Sequence, residues 1–190
     1  MKSILRPAIT LLILMTVITG IAYPLVVTGV AKLLFPAQAA GSLILQDGKP
    51  VGSRLIGQPF SDPKDFWSRP SATSPQPYNG LSSGGSNLGP LNPALTEAVK
   101  ARIAALRAAD PDNEAPIPVD LVTASGSGLD PDISLAAAYY QAGRVARLRH
   151  LSPQQVRALI AAHASRPLLG VIGEPNVNVL ELNFALDKMK

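Results

Sequence analysis

Residues 7–31 read PAITLLILMTVITGIAYPLVVTGVA, a run of 25 residues without one charged side chain. A helix of that length measures about 37 Å at roughly 1.5 Å per residue, and the hydrocarbon core of a bilayer is about 30 Å thick. Lys2 and Arg6 precede the run, and Lys32 follows it. This stretch predicts one transmembrane helix near the amino terminus, and we place the anchor at residues 1–35.

A cleaved signal peptide is the alternative interpretation of the same segment. Lys2 and Arg6 would form its basic region, and Ala37-Gln38-Ala39 has the A-x-A form of a cleavage site. The apolar part of a signal peptide has roughly 7 to 15 residues, so the longer run favours a retained anchor. Positive charges ahead of the span favour a cytoplasmic amino terminus. We therefore expect a single-pass protein whose carboxyl-terminal domain is periplasmic or extracellular.

Small or weakly polar residues recur every four positions inside the span, at Thr16, Gly20, Pro24 and Thr28. Such residues allow a second helix to approach closely, and threonine hydroxyls can bond across the contact. Glycine and proline are also ordinary in transmembrane helices, which is the simpler explanation. We predict that Thr16, Gly20 and Thr28 face a membrane-embedded partner.

The composition differs from that of a typical soluble domain and excludes several classes of binding site. Hydrophobic residues make up 47% of the chain and charged residues 16%, whereas about a quarter of residues are charged in typical soluble domains. The net charge is +4, but residues 36–190 hold 14 basic and 13 acidic side chains and so offer no basic surface for nucleic acid. The chain has no cysteine and two histidines. We therefore expect no nucleic-acid partner, no disulfide and no metal site.

Residues 36–190 are predicted to form one soluble domain of the α+β or α/β class. Three helices should begin where a capping residue precedes a proline, because the first-turn N–H that proline lacks has no partner inside the helix. The three pairs are Asn92-Pro93, Asp130-Pro131 and Ser152-Pro153. The expected helices span residues 93–109, 131–149 and 153–165.

Strands are predicted at Val119–Thr123 and at Val177–Leu186, where apolar and polar residues alternate after Leu180. A short hairpin is predicted around Asp47-Gly48, a dipeptide suited to a tight turn. Residues 61–92 contain five prolines and a Ser/Gly tract, which excludes a regular element. Phe66, Trp67 and Tyr78 lie in this segment, and we expect these aromatic side chains to hold it as an ordered loop.

Residues 122–131 read VTASGSGLDP and predict a strand that leads through a Gly/Ser turn into a capped helix. Backbone N–H groups of such a turn can bind an anion, but the spacing fits neither a P-loop nor G-x-G-x-x-G. It also fails G-x-S-x-G, because Ser125 stands two positions before Ser127. We predict instead that the turn docks on a partner. Its docking residues would be Ser125, Gly126, Ser127, Gly128 and Asp130.

Two charged clusters have competing interpretations. Asp120, Asp130 and Asp132 could attract a cation, although capping of the next helix and its dipole account for Asp130 and could account for Asp132. A hydrolase that uses Ser127 with Asp120 or Asp132 and with His150 or His163 is a further alternative.

Near the end of the second helix, a basic patch is expected to be a solvated face, or else to meet anionic lipid or an acidic partner. Its members are Arg144, Arg147 and Arg149.

Beyond these patterns, the chain resembles one family over nearly its whole length, the C subunits of the bacterial Kdp potassium-transporting ATPase. Six segments carry the resemblance. They are Gly52–Gln58 (GSRLIGQ), Phe66–Ala72 (FWSRPSA), Ser83–Pro90 (SGGSNLGP), Val119–Pro131 (VDLVTASGSGLDP), Gln141–Ala146 (QAGRVA) and Gly173–Pro175 (GEP) together with Val177–Leu180 (VNVL). One departure is Asp132, where the family pattern has histidine, so the backbone turn is the common element.

The resemblance implies a non-catalytic accessory subunit with one transmembrane helix in the bacterial cytoplasmic (inner) membrane. The implied partners are a channel-like potassium-binding subunit, a P-type ATPase subunit and a small single-span subunit, besides the lipid bilayer. The complex would take up potassium with high affinity at the expense of ATP. In it the chain would support assembly and, as a catalytic chaperone, raise the ATP affinity of the pump subunit.

The resemblance also implies that the chain has no cofactor of its own and no catalytic residues, because ATP and potassium are handled by the complex. An exported domain can change cytoplasmic nucleotide affinity only through the conformational equilibrium of that complex. The alternative function is a free-standing membrane-tethered hydrolase or ligand-binding module outside the cytoplasm.

Overall fold

The computed structural model describes residues 2–167 and 170–189. They fall into two compact units, Met1–Val51 and Gly52–Lys190. In the first unit, a continuous apolar helix consists of α1 (Lys2–Val17), a π-helical turn (Ile18–Ala22) and α2 (Tyr23–Leu34). The predicted apolar helix is thus present. Its stretch Ile4–Leu34 is long and apolar enough to cross a membrane.

The wide turn in the middle of this helix has a local cause. Pro24 has no N–H to donate to Gly20, and its ring would collide with that carbonyl in a regular helix. Thr19 Oγ1 donates to the Met15 carbonyl oxygen at 2.7 Å. A Cβ on Gly20 would lie 3.9 Å from Thr16 Cγ2, so these two residues of the predicted stripe are neighbours on the helix surface. Thr28 lies beyond the wide turn, in α2.

The rest of the first unit is short. Helix α3 (Pro36–Ala39) is followed by β1 (Leu43–Gln46) and β2 (Lys49–Ser53), which form a two-stranded sheet. Asp47 and Gly48 both have positive φ, 51° and 75°, as the tight turn of a hairpin requires. The predicted hairpin is therefore confirmed.

The second unit contains four helices and one small antiparallel sheet among its described residues. In chain order these elements are α4 (Pro93–Ala109), a 3-10 turn (Val119–Leu121), β3 (Asp132–Ser134), α5 (Leu135–Arg149), α6 (Pro153–His163), β4 (Asn176–Asn178) and α7 (Val179–Asp187). Strands β3 and β4 pair with Ile133 opposite Val177. This unit mixes helices and strands, as predicted.

Two of the three predicted helix starts are confirmed. Asn92 Oδ1 accepts from the Ala94 N–H at 3.0 Å, and Ser152 and Gln155 form a reciprocal capping box at the start of α6. The start predicted at Asp130-Pro131 is wrong. Residues 132–134 are a strand instead, and Ser134 caps α5 by accepting from the Ala137 N–H at 3.0 Å.

Both predicted strands are largely wrong. Val119–Leu121 is a 3-10 turn, and only Asn176–Asn178 is extended at the second position. Asn178 caps α7 by accepting from the Glu181 N–H at 3.1 Å. Helix α7 then buries side chains on one broad face, and this helical spacing explains the apolar pattern better than alternation does. The buried residues are Val179, Leu180, Leu182, Asn183 and Leu186.

The core of the second unit forms where α5 packs against α6 and the small sheet. Helix α5 contributes small side chains, so the neighbouring backbones approach closely. Larger apolar residues come from every neighbouring element. The main ones are Phe66, Trp67, Leu106, Leu121, Ile133, Val156, Ile160 and Leu182. Phe66 and Trp67 belong to the irregular segment 61–92, so its prediction as an ordered loop is confirmed.

Candidate functional site

The irregular segment is held by side-chain amides that take the place of a neighbouring strand. Phe66 N–H donates to Asn183 Oδ1 at 2.8 Å, and Asn183 Nδ2 donates to the Phe66 carbonyl at 3.0 Å. Trp67 N–H donates to Gln141 Oε1 at 2.8 Å, and Gln141 Nε2 donates to the Trp67 carbonyl at 3.1 Å. Two buried amides thus satisfy four buried backbone groups, each of which would be costly if left unpaired.

Arg144 completes this arrangement, and its prediction as part of a solvated basic face is wrong. Its side chain is among the fully buried ones, at 2% exposure. The guanidinium donates to the carbonyl oxygens of Pro63 and Asp65 and to Gln141 Oε1, and it lies 5.2 Å from the Trp67 ring centroid. Burial lowers the pKa of the Arg144 guanidinium to about 10. Arg144 is therefore a structural cation under the loop.

The other two arginines of the predicted patch form ion pairs with their own chain. Arg147 donates to Asp110 at 2.7 Å. Arg149 contacts both Asp65 and Asp187. The helix dipole favours positive side chains near the end of α5. In the structure, each of these two arginines also has a specific carboxylate partner in the same unit.

The predicted docking turn lies against the same irregular segment. Ser71 Oγ donates to the Gly128 carbonyl at 2.7 Å, and the Gly84 N–H donates to the Ser127 carbonyl at 2.8 Å. Ser125 Oγ accepts from the Gly128 N–H at 2.9 Å inside the turn. The inner side of the turn is thus occupied by its own chain.

The outer side of the turn is open. Gly126 and Ser127 are exposed, whereas Ser125 and Gly128 are buried. Asp130 is half-buried and pairs with Arg69 at 2.9 Å. Of the five predicted turn residues, Gly126 and Ser127 are the two that are exposed. Docking there stays a prediction.

The three aspartates of the predicted acidic cluster do come together. Asp120, Asp130 and Asp132 line a cavity of about 240 Å³ with Arg69 and Glu174. Asp120 Oδ2 accepts from the Ser134 N–H at 2.7 Å, so this carboxylate orders the start of α5. Among the described residues, no group of three or more acidic or histidine side chains has the geometry to hold a metal ion.

Asp132, the departure from the family pattern, has surroundings that disfavour its ionised form. Burial raises its pKa, and the nearby Asp130 charge raises it further. A side-chain hydrogen bond with Asn178 lowers this pKa, and the Arg54 charge acts in the same lowering direction. Asp132 lies opposite Asn178 in the β3–β4 ladder, so its side chain belongs to the edge of the small sheet.

The contacts of Ser127 and the histidines assign them local roles. Ser127 Oγ accepts from the Leu129 N–H at 3.1 Å and lies 3.4 Å from Ser125 Oγ. His150 adopts the left-handed conformation that ends α5, and His163 is exposed in the last turn of α6. These contacts do not assemble the hydrolase arrangement that the sequence left open.

The sequence does not identify the structural role of the residues that hold the site together. These residues are Arg69, Ser71, Gln141, Arg144 and Asn183, of which the sequence singles out only Arg144, as part of the basic patch. One signal was present. Gln141 and Arg144 are polar residues three positions apart within the α5 stretch that otherwise buries alanine and valine, and polar residues on a buried helix face mark an internal hydrogen-bond network.

Comparisons with known proteins extend over both compact units. The family model described as KdpC: K+-transporting ATPase, c chain, matches residues 5–188. The chain is 69% identical over 187 residues to the potassium-transporting ATPase KdpC subunit of Variovorax paradoxus (strain S110), covering 98% of this chain and 97% of the relative. It is 68% identical over 190 residues to the protein of that name from Polaromonas naphthalenivorans (strain CJ2), covering 100% and 97%.

Proposed function

Because the chain belongs to the KdpC family, the c chains of K+-transporting ATPases, we propose that it is a non-catalytic accessory subunit of a potassium-uptake complex. The observation that carries this proposal is the family match over residues 5–188. In this proposal the apolar helix anchors the chain in the bacterial cytoplasmic membrane, with its amino terminus inside. Residues 36–190 then lie on the outer side.

The architecture of the second unit supports a binding role. The segments that carry the family motifs contact one another: residues 66–72 bond to α5, α7 and the turn at 125–130, and residues 83–85 bond to that turn. Their polar groups are used to hold irregular backbone in one conformation. A surface of fixed loops is suited to recognition of another protein, because little conformational freedom is lost on binding.

The partners in this proposal are the channel-like potassium-binding subunit, the P-type ATPase subunit and the small single-span subunit of the complex. ATP and potassium are handled by those subunits. The chain raises the ATP affinity of the pump subunit by stabilising one conformation of the complex, since a subunit that binds one state better shifts the equilibrium towards it.

The test is purification of the complex with and without this chain. Tagged chain, co-expressed with the other subunits and extracted in mild detergent, should co-purify with them. The complex assembled without it should show lost or reduced potassium-stimulated ATP hydrolysis, with a higher KM for ATP. Failure to co-purify would refute the accessory role, and an unchanged KM would refute the effect on ATP affinity alone.

A further inference from the structure

The second unit contains another cavity, of about 340 Å³, whose wall includes the Arg147–Asp110 ion pair. It lies where α5 and α6 pack beside residues 110–115, and its wall includes Tyr139, Gly143 and Arg157. We call it the α5–α6 pocket. Its rim is exposed at Gly143 and Arg157, so another protein can reach it.

Gly143 is the first indication that this pocket receives a ligand. Glycine inside a helix is less favourable than alanine, and Gly143 stands well inside α5 (Leu135–Arg149). The backbone does not require it, because its φ lies outside the left-handed region and an added Cβ would meet no atom within 4 Å. Among the described residues, no contact therefore requires a glycine here, whereas an occupant of the pocket would need the space.

The charges around the pocket are the second indication. Arg147 pairs with Asp110 at 2.7 Å, and Asn113 Nδ2 also donates to Asp110. The Arg157 guanidinium lies 5.4 Å from the centroid of the Tyr139 ring. Within residues 2–167 and 170–189, no carboxylate lies within ion-pair distance of Arg157. Stacking on an aromatic ring orders a guanidinium and leaves its N–H donors free for a planar carboxylate.

We propose that the α5–α6 pocket receives an acidic side chain of another subunit of the complex, whose carboxylate pairs with Arg157 over Tyr139. Tyrosine and arginine are the residue types that dominate binding energy at protein interfaces. Asp112 also lines the pocket and repels an incoming carboxylate. This inference rests on the proposed function, because it requires the chain to work within an assembly.

The experiment compares co-purification of the assembled complex for four variants of the full chain. Gly143→Leu fills the pocket, and Arg157→Gln removes the guanidinium that lies over Tyr139. Each substitution should reduce the amount of recovered complex about tenfold or more. Asp112→Asn should leave recovery unchanged or increase it. Arg166→Gln removes another exposed arginine, outside the pocket, and should have no effect.

Chain stability is measured for each variant in detergent, so that loss of assembly is separated from loss of folding. If Gly143→Leu lowers the melting temperature, the test of the pocket rests on Arg157→Gln, because the Arg157 side chain is exposed and lies outside the core. The recovery of the wild-type complex distinguishes failure of the proposed function from failure of this inference. Absence of wild-type complex overturns the proposed function and this inference with it, whereas normal recovery of wild type and Arg157→Gln alike overturns this inference alone.

The absence of cysteine from the sequence provides an independent measurement. Gly143→Cys introduces a single thiol at the pocket, and Arg166→Cys introduces the matched thiol outside it. Maleimide should label the Gly143→Cys chain at least about tenfold more slowly in the complex than alone, relative to the control position. Equal labelling of Gly143→Cys in both states would show that the pocket is empty in the assembly.

Discussion

The side-chain amide of Asn183 clamps the backbone of Phe66 through two hydrogen bonds, at 2.8 and 3.0 Å, although the two residues are 117 positions apart. Phe66 is fully buried and Asn183 is 4% exposed. The irregular segment therefore depends on a residue of the last helix. This relationship makes Asn183 a stability residue of the second unit.

Asn183→Leu keeps a similar side-chain volume but leaves the N–H and C=O of Phe66 buried without partners. Each such group costs about 1 to 3 kcal/mol, so we expect a loss of about 2 to 6 kcal/mol in the free energy of unfolding. Urea unfolding can be followed by the fluorescence of Trp67, the one tryptophan of the chain. Gln154→Leu, at an exposed position of α6, is the control. A loss of similar size in both variants would contradict the role of the clamp.

Asn183 also shows why part of the fold escapes prediction from sequence. Helix caps are local signals, so Asn92 and Ser152 correctly predicted α4 and α6. The clamp joins residues far apart, and nothing near Phe66 identifies its partner. In residues 180–186, the apolar pattern that predicts a strand also fits a helix. Asn178 is the local signal for that helix, because it caps α7, but it lies inside the predicted strand. The sequence predicts a cap at Asp130, but the structure pairs its carboxylate with Arg69, and aspartate is a residue type that serves both roles.

The Asp132 carboxyl should make stability depend on pH. Burial, and then the Asp130 charge, raise its pKa in the folded chain above the ordinary value of 3.8. The folded chain therefore binds the proton more tightly than the unfolded chain, and the stabilisation present below 3.8 is lost as pH rises through the raised value. Asp132→Asn should raise the melting temperature at pH 7 relative to wild type.

At pH 3 the same substitution should have little effect, because the wild-type carboxyl is then protonated and resembles the amide. Melting curves of both proteins at the two pH values, read by Trp67 fluorescence, check this difference. Asp112→Asn removes an exposed carboxylate from the same unit and is the control for net charge. A melting temperature lowered at pH 7 by Asp132→Asn would show that the ionised carboxylate stabilises the fold.

The orientation of the chain is tested by protease. The uncharged helix with basic residues ahead of it predicts an inside amino terminus, so protease added to intact spheroplasts should degrade residues 36–190. A cytoplasmic marker protein should survive in the same sample. Protection until the membrane is opened would reverse the orientation, and a mature chain that begins at Ala40 would establish a cleaved signal peptide in place of the anchor.

Substitutions at Gly126 and Gly128 in the 125–130 turn should distinguish effects on folding from effects on docking. Gly128 has φ +67°, and a Cβ there would lie 2.6 Å from Thr73 Cγ2 and 2.7 Å from the Gly84 carbonyl oxygen. Gly128→Val should therefore lower the free energy of unfolding by more than about 1 kcal/mol, whatever the turn binds. A Cβ on Gly126 would meet nothing within 4 Å, so Gly126→Val should leave the inner contacts of the turn intact.

If the outer side of the turn is a docking surface, Gly126→Val should reduce co-purification with the other subunits while the melting temperature of the chain falls by no more than a few degrees. Its added side chain would stand where the partner backbone approaches, since glycine permits the closest contact between two chains. The measurements are the melting temperature of the purified chain and the yield of complex from co-expressing cells. A Gly126→Val chain that melts and assembles like wild type would show that the partner contacts lie elsewhere on the chain. In that outcome, weak assembly of Gly128→Val would reflect its damaged fold.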